Sequence, residues 1–196
     1  MAIEPGTESG ERKGSFLKEL LKYAIIALII VVPIRTWIAQ PFIVNGSSMD
    51  DTFKDGQYLI VDELSYRFKA PERGDVLIFK YPNDPSKYFI KRLIGLPGET
   101  VVVNNGKVTV KNAAHPEGIL LNEPYVYSQT YGNNTVTLSP DQYFVMGDNR
   151  LVSSDSRIWG PLPKSDLIGR PIIRLLPVTK IGLLPGAVAS STIISK

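Results

Sequence analysis

The chain has 196 residues, a formal charge of +3, one histidine and no cysteine. That length suits one domain of moderate size plus a further segment. The lack of cysteine excludes disulfides, zinc–thiolate sites and cysteine nucleophiles, and the single histidine excludes a histidine-rich metal site. The basic residues are spread along the chain without a long block, which argues against nucleic acid as a partner. A mild basic bias also suits a protein near anionic lipid.

Residues 1–15 are polar and rich in Gly, Glu and Ser, and are expected to form a disordered cytoplasmic tail. Residues 16–39 are expected to be a transmembrane anchor. The uncharged run from Tyr23 to Ile34 is too short by itself, because crossing a bilayer core takes roughly 20 residues. Counting the flanks, Leu17 to Ala39 would give roughly 35 Å of helix. Lys18, Lys22 and Arg35 would snorkel toward headgroups and Trp37 would sit in the interface. A cleavable signal peptide and a buried core helix compete with the anchor. Gln40-Pro41-Phe42-Ile43-Val44 offers no small-x-small cleavage site, which favours retention. Arg12, Lys13, Lys18 and Lys22 precede the uncharged run, which predicts a single-pass protein of the cell membrane. Its N-terminus would be cytoplasmic and its C-terminal domain extracytoplasmic.

From residue 40 to 181 the pattern is mostly β. Short apolar runs such as Tyr58-Leu59-Ile60-Val61, Val76-Leu77-Ile78-Phe79 and Tyr143-Phe144-Val145-Met146 alternate with Gly, Pro, Asn and Asp turns. Thr100–Val103 and Lys107–Val110 flank Asn104-Asn105-Gly106, a strong hairpin signal. Beyond residue 40 no stretch reads as a convincing amphipathic helix, and Glu63–Phe68 suits a single turn. The region of about 105–135 reads as a smaller insertion, and residues 182–196 as a flexible tail.

Three clusters carry chemistry. Tyr88–Ile94 reads as a strand, so Phe89, Lys91 and Leu93 share one face. An amine held between two apolar side chains loses affinity for its proton and can act as a base. Ser48, in Asn45-Gly46-Ser47-Ser48-Met49, is a candidate nucleophile for such a base, with Ser47 the competing choice. The third cluster runs from Met146 to Arg157, with Asp148 and Asp155 beside Arg150 and Arg157. Its two arginines suit structural ion pairs better than a calcium loop. His115 reads as an exposed loop residue rather than a catalytic one.

In their order and spacing, these clusters resemble type I signal peptidase, the membrane-bound Ser-Lys protease family of bacteria, from about residue 35 to Arg170. The resemblance implies a signal-peptidase-like β-fold catalytic domain behind one N-terminal transmembrane helix. It makes Ser48, followed by Met49, the nucleophile. Lys91, in the Lys-Arg pair before Ile94-Gly95-Leu96-Pro97-Gly98, becomes the general base. Ser153 would orient the Lys91 amine, and Asp155, Arg157, Asp148 and Arg92 would brace the loops. Val44, Met49, Phe53 and Ile90 would wall shallow pockets for small substrate side chains. The implied substrates are exported preproteins, cut after small-x-small sites through an acyl-enzyme. Membrane lipid is the other implied partner; no cofactor, metal or obligate protein partner is implied. Two positions bear on the match. Asp51 stands where the family has proline, which predicts a looser turn and a carboxylate that raises the Lys91 pKa. Gly46, two residues before the nucleophile, leaves the Ser48 N–H as the main oxyanion donor. Competing readings are a Ser-Lys peptidase with a different dedicated substrate, a membrane-tethered non-catalytic β domain that binds exported proteins, and a generic exported β protein.

Overall fold

The computed structural model describes residues 9–33 and 39–194. The chain divides into two compact units, Met1–Ala39 and Gln40–Lys196.

In the first unit, helix α1 covers Ser9–Pro33. It begins inside the segment expected to be a tail, whose residues 1–8 lie outside the described residues. The expected membrane anchor is corrected here. Among the described residues, no helix is long and apolar enough to cross a membrane. Within α1, any stretch of the roughly 20 residues a crossing needs takes in Lys18, Glu19 and Lys22. The uncharged part starts only at Tyr23, and residues 34–38, which the anchor would have needed, lie outside the described residues. The single-pass placement, with a cytoplasmic N-terminus and an extracytoplasmic domain, falls with the anchor.

The second unit is mostly β, as the turn-punctuated pattern predicts. Its strands are β1 (Ala39–Ile43), β2 (Tyr58–Asp62), β3 (Val76–Tyr81), β4 (Asp84–Gly95), β5 (Thr100–Asn104), β6 (Lys107–Asn112), β7 (His115–Leu120), β8 (Asn134–Thr137), β9 (Gln142–Met146), β10 (Leu162–Pro163), β11 (Leu167–Leu176) and β12 (Gly182–Leu183). Two short helices, α2 (Ser156–Trp159) and α3 (Ser190–Ile193), complete it. The larger sheet runs β1-β2-β11-β3-β4-β9-β10, with β12 on β11. The smaller one runs β7-β6-β5-β8.

Local sequence accounts for both sheets. The β5–β6 hairpin closes at Asn105-Gly106 with Asn104 opposite Lys107. Its alternation buries Val101 and Val103 with Val108 and Val110, leaving Thr100, Val102 and Thr109 on the other face. The continuous apolar run of β3 instead buries Val76 to Phe79, as expected of an inner strand covered on both faces. Three buried clusters form the core. One joins the small sheet to Phe144 and Met146, and a second gathers Leu77, Phe79, Leu93, Tyr143, Val145 and Leu162. The third, with Val44, Met49, Phe53, Leu59 and Val76, lies beneath the Ser48 loop.

Candidate active site

Strand β4 lies between β3 and β9, and its register sets Lys91 opposite Leu77 and Arg92 opposite Met146. Phe89 and Leu93 both pack in the second cluster, so Lys91 stands between apolar neighbours as the alternation requires. Only 4% of Lys91 is exposed. Its Nζ lies 2.6 Å from Ser48 Oγ and donates to the Ile90 carbonyl at 3.0 Å. Burial pushes the amine down to about 8, while the Asp155 and Asp148 carboxylates pull it partly back up. Ser47 lies beside Ser48 in the same cleft, but the hydroxyl that meets Lys91 belongs to Ser48.

The loop bearing Ser48 is anchored from below and from the side. Met49 and Phe53 are fully buried, and Phe53 N–H donates to the Met49 carbonyl at 2.8 Å. Asn149 N–H donates to the Ser48 carbonyl at 3.1 Å, and Asn149 Nδ2 to the Ser47 carbonyl at 3.2 Å. Thr52 Oγ1 donates to Asp148 Oδ2 at 2.6 Å. Asp148 is gripped in turn by Arg92, through Nε at 2.8 Å and Nη2 at 2.6 Å, and neither side chain is exposed. A planar guanidinium on a carboxylate fixes direction as well as distance.

Asp155 caps α2 through Arg157 N–H and accepts Gly147 N–H at 3.0 Å. Arg157 closes on it with two contacts of 2.8 Å. Each acid near Lys91 therefore has its own arginine, which limits how far it raises the amine. Asp51 is exposed and is not among the groups that shift Lys91. The expected rise from Asp51 gives way to the pull of Asp155 and Asp148. The turn is secured without proline by the bonds of Thr52 and Phe53.

A cleft of about 590 Å³ opens over the pair, with Phe42–Ser48 on one side and Lys87–Lys91 on the other. Val44 and Ile90 line it. Met49 and Phe53, read as pocket walls, instead sit in the core beneath. Ser153 is buried beside the Ser48 loop, but its hydroxyl has no hydrogen-bond partner among the described residues. Lys91 bonds to Ser48 and Ile90, not to Ser153. His115 is exposed next to Glu117 and does not line the cleft.

Comparison with known proteins places this arrangement. Residues 17–176 match the family described as signal peptidase, peptidase S26. The chain belongs to the signal peptidase family. It is 40% identical over 173 residues to a probable signal peptidase I-2 of Synechocystis, covering 85% of this chain and 76% of that one. Signal peptidase I of Leptolyngbya laminosa is 36% identical over 185 residues, covering 90% of this chain and 88% of that one. Signal peptidase I V of Bacillus subtilis is 33% identical over 154 residues, covering 74% and 90% respectively.

Several supports of this arrangement in the signal peptidase chain escape a sequence reading. Asn149 and Arg150 lie inside the recognised Met146–Arg157 cluster, yet their contacts do not follow from spacing. Arg150 is buried, paired with Glu123, and donates Nε to the Gly147 carbonyl at 3.0 Å. Glu123, in the loop after β7, has no local signal at all. Gly147 is required by close approach: a Cβ there would lie 2.3 Å from Ser153 Oγ and 2.4 Å from the Ser48 carbonyl oxygen. Gly147→Ala is therefore expected to push the Ser48 loop away from Lys91. A displacement on the ångström scale costs kcat about 100-fold, measurable as kcat at saturating substrate in a variant whose folding is checked by circular dichroism.

Proposed function

We propose that Ser48 is the nucleophile and Lys91 the general base of this enzyme. The chain is a serine endopeptidase that removes signal peptides, working through a Ser-Lys dyad. The assignment is supported above all by the 2.6 Å approach of Lys91 Nζ to Ser48 Oγ in a water-poor setting.

The chemistry follows from that geometry. Neutral Lys91 takes the Ser48 proton as Oγ attacks the scissile carbonyl carbon. The oxyanion forms beside the Ser48 backbone N–H, which carries no other hydrogen bond among the described residues. The Lys91 ammonium then protonates the departing nitrogen, so the mature protein leaves and the signal peptide stays as an ester on Ser48. A water, deprotonated by the same amine, attacks the ester, and the proton returns to Ser48 Oγ as the carboxylic acid departs. An extended substrate suits the cleft, whose sides are the end of β1 with the loop after it and the Lys87–Lys91 stretch of β4, which β9 does not pair and which leaves backbone for an added strand. Val44 and Ile90 line the cleft together with the dyad, and apolar walls of this kind support selection of small side chains before the cut and exported preproteins as the substrates.

The test is cleavage of a preprotein carrying a small-x-small site by the purified full chain. Wild type is expected to cut after that site, Ser48→Ala to lose the cut, and Ser47→Ala to keep most of it. Retained cleavage in Ser48→Ala would overturn the assignment.

A further inference from the structure

After β12 the chain makes a tight turn at Leu184-Pro185-Gly186-Ala187, closed by Ala187 N–H on the Leu184 carbonyl at 3.1 Å. Gly186 has φ +76°, the left-handed value that a turn with proline second and glycine third demands. This turn is anchored at both ends. Leu184 N–H donates to the Ile172 carbonyl at 2.8 Å, and Ile193 is fully buried in the core that contains Phe144 and Met146. Asn122 N–H holds the far end on the Ile193 carbonyl at 2.8 Å.

Between those anchors the segment crosses the supports of the nucleophile. The Gly186 carbonyl accepts Arg92 Nη1 at 2.8 Å, and the Gly74 carbonyl accepts the same nitrogen at 2.8 Å. The remaining Arg92 hydrogen bonds grip Asp148, which holds Thr52, while the guanidinium lies over the Tyr125 ring at 3.9 Å. Gly186 also packs directly on the nucleophile loop: a Cβ there would lie 2.7 Å from Thr52 Cγ2 and 2.8 Å from Phe53 Cε2. From β11, Arg174 pins the Thr52 carbonyl at 2.7 Å. The segment lies beyond residue 176, where the match to the family ends.

We propose that residues 184–194 form a strap that positions the nucleophile loop through Arg92 and Thr52, which makes Gly186 a positioning residue for the Ser48–Lys91 dyad. This rests on the function proposed above. The strap contributes a carbonyl to a buried guanidinium that would otherwise lack one acceptor, and it closes the space into which Thr52 could retreat. Its effect reaches the dyad in two ways. Thr52 sets how the loop presents Ser48, and Arg92 sets how far Asp148 is neutralised. Asp148 and Asp155 are the acids that act on Lys91, each held by its own arginine, Arg92 and Arg157.

The test is Gly186→Ala in the full chain, with Thr52→Ser and the double variant alongside. Gly186→Ala is expected to lower kcat about 10- to 100-fold with little change in KM, since the cleft walls are untouched. Thr52→Ser removes the methyl that a Cβ at residue 186 would strike and keeps the hydroxyl that bonds Asp148, so the double variant is expected to recover part of the loss. The Lys91 titration, followed by NMR of its Cε carbon without any substrate, is expected to move up from about 8 in Gly186→Ala, because a loosened Arg92 neutralises Asp148 less. A folded Gly186→Ala with a lower melting temperature but unchanged kcat and unchanged Lys91 titration would reduce the strap to a stability element and overturn the proposal. Failure of wild type to cleave would count against the proposed function instead, and the titration would still decide the strap.

Discussion

Lys91→Met is expected to lower kcat/KM by about 10⁴-fold or more and to make the protein more stable at neutral pH. The loss follows from removing the proposed base, the only amine in contact with Ser48 Oγ among the described residues. The gain follows from what burial does to the amine. Its folded value, about 8, lies below the ordinary lysine value of 10.5. The unfolded chain therefore binds this proton more tightly than the folded one. Below about pH 8 the folded state carries the full cost of a buried ammonium. That cost fades as pH rises from about 8 through 10.5, so wild-type stability climbs across this window. The methionine variant carries no such charge and should gain up to about 3 kcal/mol at pH 7, partly offset by the lost bonds to Ser48 and the Ile90 carbonyl. Urea unfolding of both proteins at pH 7 and pH 10 checks this, and an equal difference at the two values would refute the buried-charge account. In the wild type the same titration shapes activity. About a tenth of the amine is free at pH 7 when its pKa is about 8. Accordingly kcat/KM should rise about tenfold per pH unit on the acid side and level off above about pH 8.

Asp148→Asn is expected to cost about 3 kcal/mol or more of stability and about 100-fold in kcat. Arg92 is wholly buried, and the substitution leaves its charge without a counter-charge. An amide also cannot accept from Arg92 Nη2 and Thr52 Oγ1 with the nitrogen that replaces Oδ2. The brace on the nucleophile loop is lost together with the ion pair. Because the Asp148 carboxylate holds Lys91 up, the acid limb of the pH profile should move to lower pH even as the plateau falls. Arg92→Met combined with Asp148→Leu separates the two effects. Stability should largely return, since no buried charge remains unpaired, while kcat stays low because Thr52 has lost its acceptor. Recovery of kcat in that double variant would mean that the pair stabilises the fold without aiming Ser48.

The apolar setting of Lys91 was readable from residues alone. Period-two alternation places Lys91 between Phe89 and Leu93, and a strand cannot present them otherwise. Asn105-Gly106 announces its hairpin because so few residue pairs tolerate that turn. Asp155 and Arg157, two residues apart, already suggest a local ion pair, and they form one. The reading of residues 16–39 as an anchor went wrong for an equally physical reason. It added flanks carrying Lys18, Glu19 and Lys22 to a short apolar run, and α1 keeps those charges inside every stretch long enough to cross a bilayer.

Residue order by itself determined strands such as β2, β3 and β9, the turn at Asn105-Gly106, and the apolar flanks of Lys91. Only the tertiary structure decided which groups meet across long separations: Ser48 with Lys91, Thr52 with Asp148, Arg150 with Glu123, and Arg92 with Gly186. Ser153, expected to orient the lysine, lies close to the Ser48 loop without that bond. Met49 and Phe53 are core residues rather than pocket walls. The division has one cause. Backbone periodicity and turn chemistry act over a few neighbouring residues and are written in the local sequence. A buried charge accepts whichever partner the packed strands bring within reach, and no spacing along the chain specifies that partner.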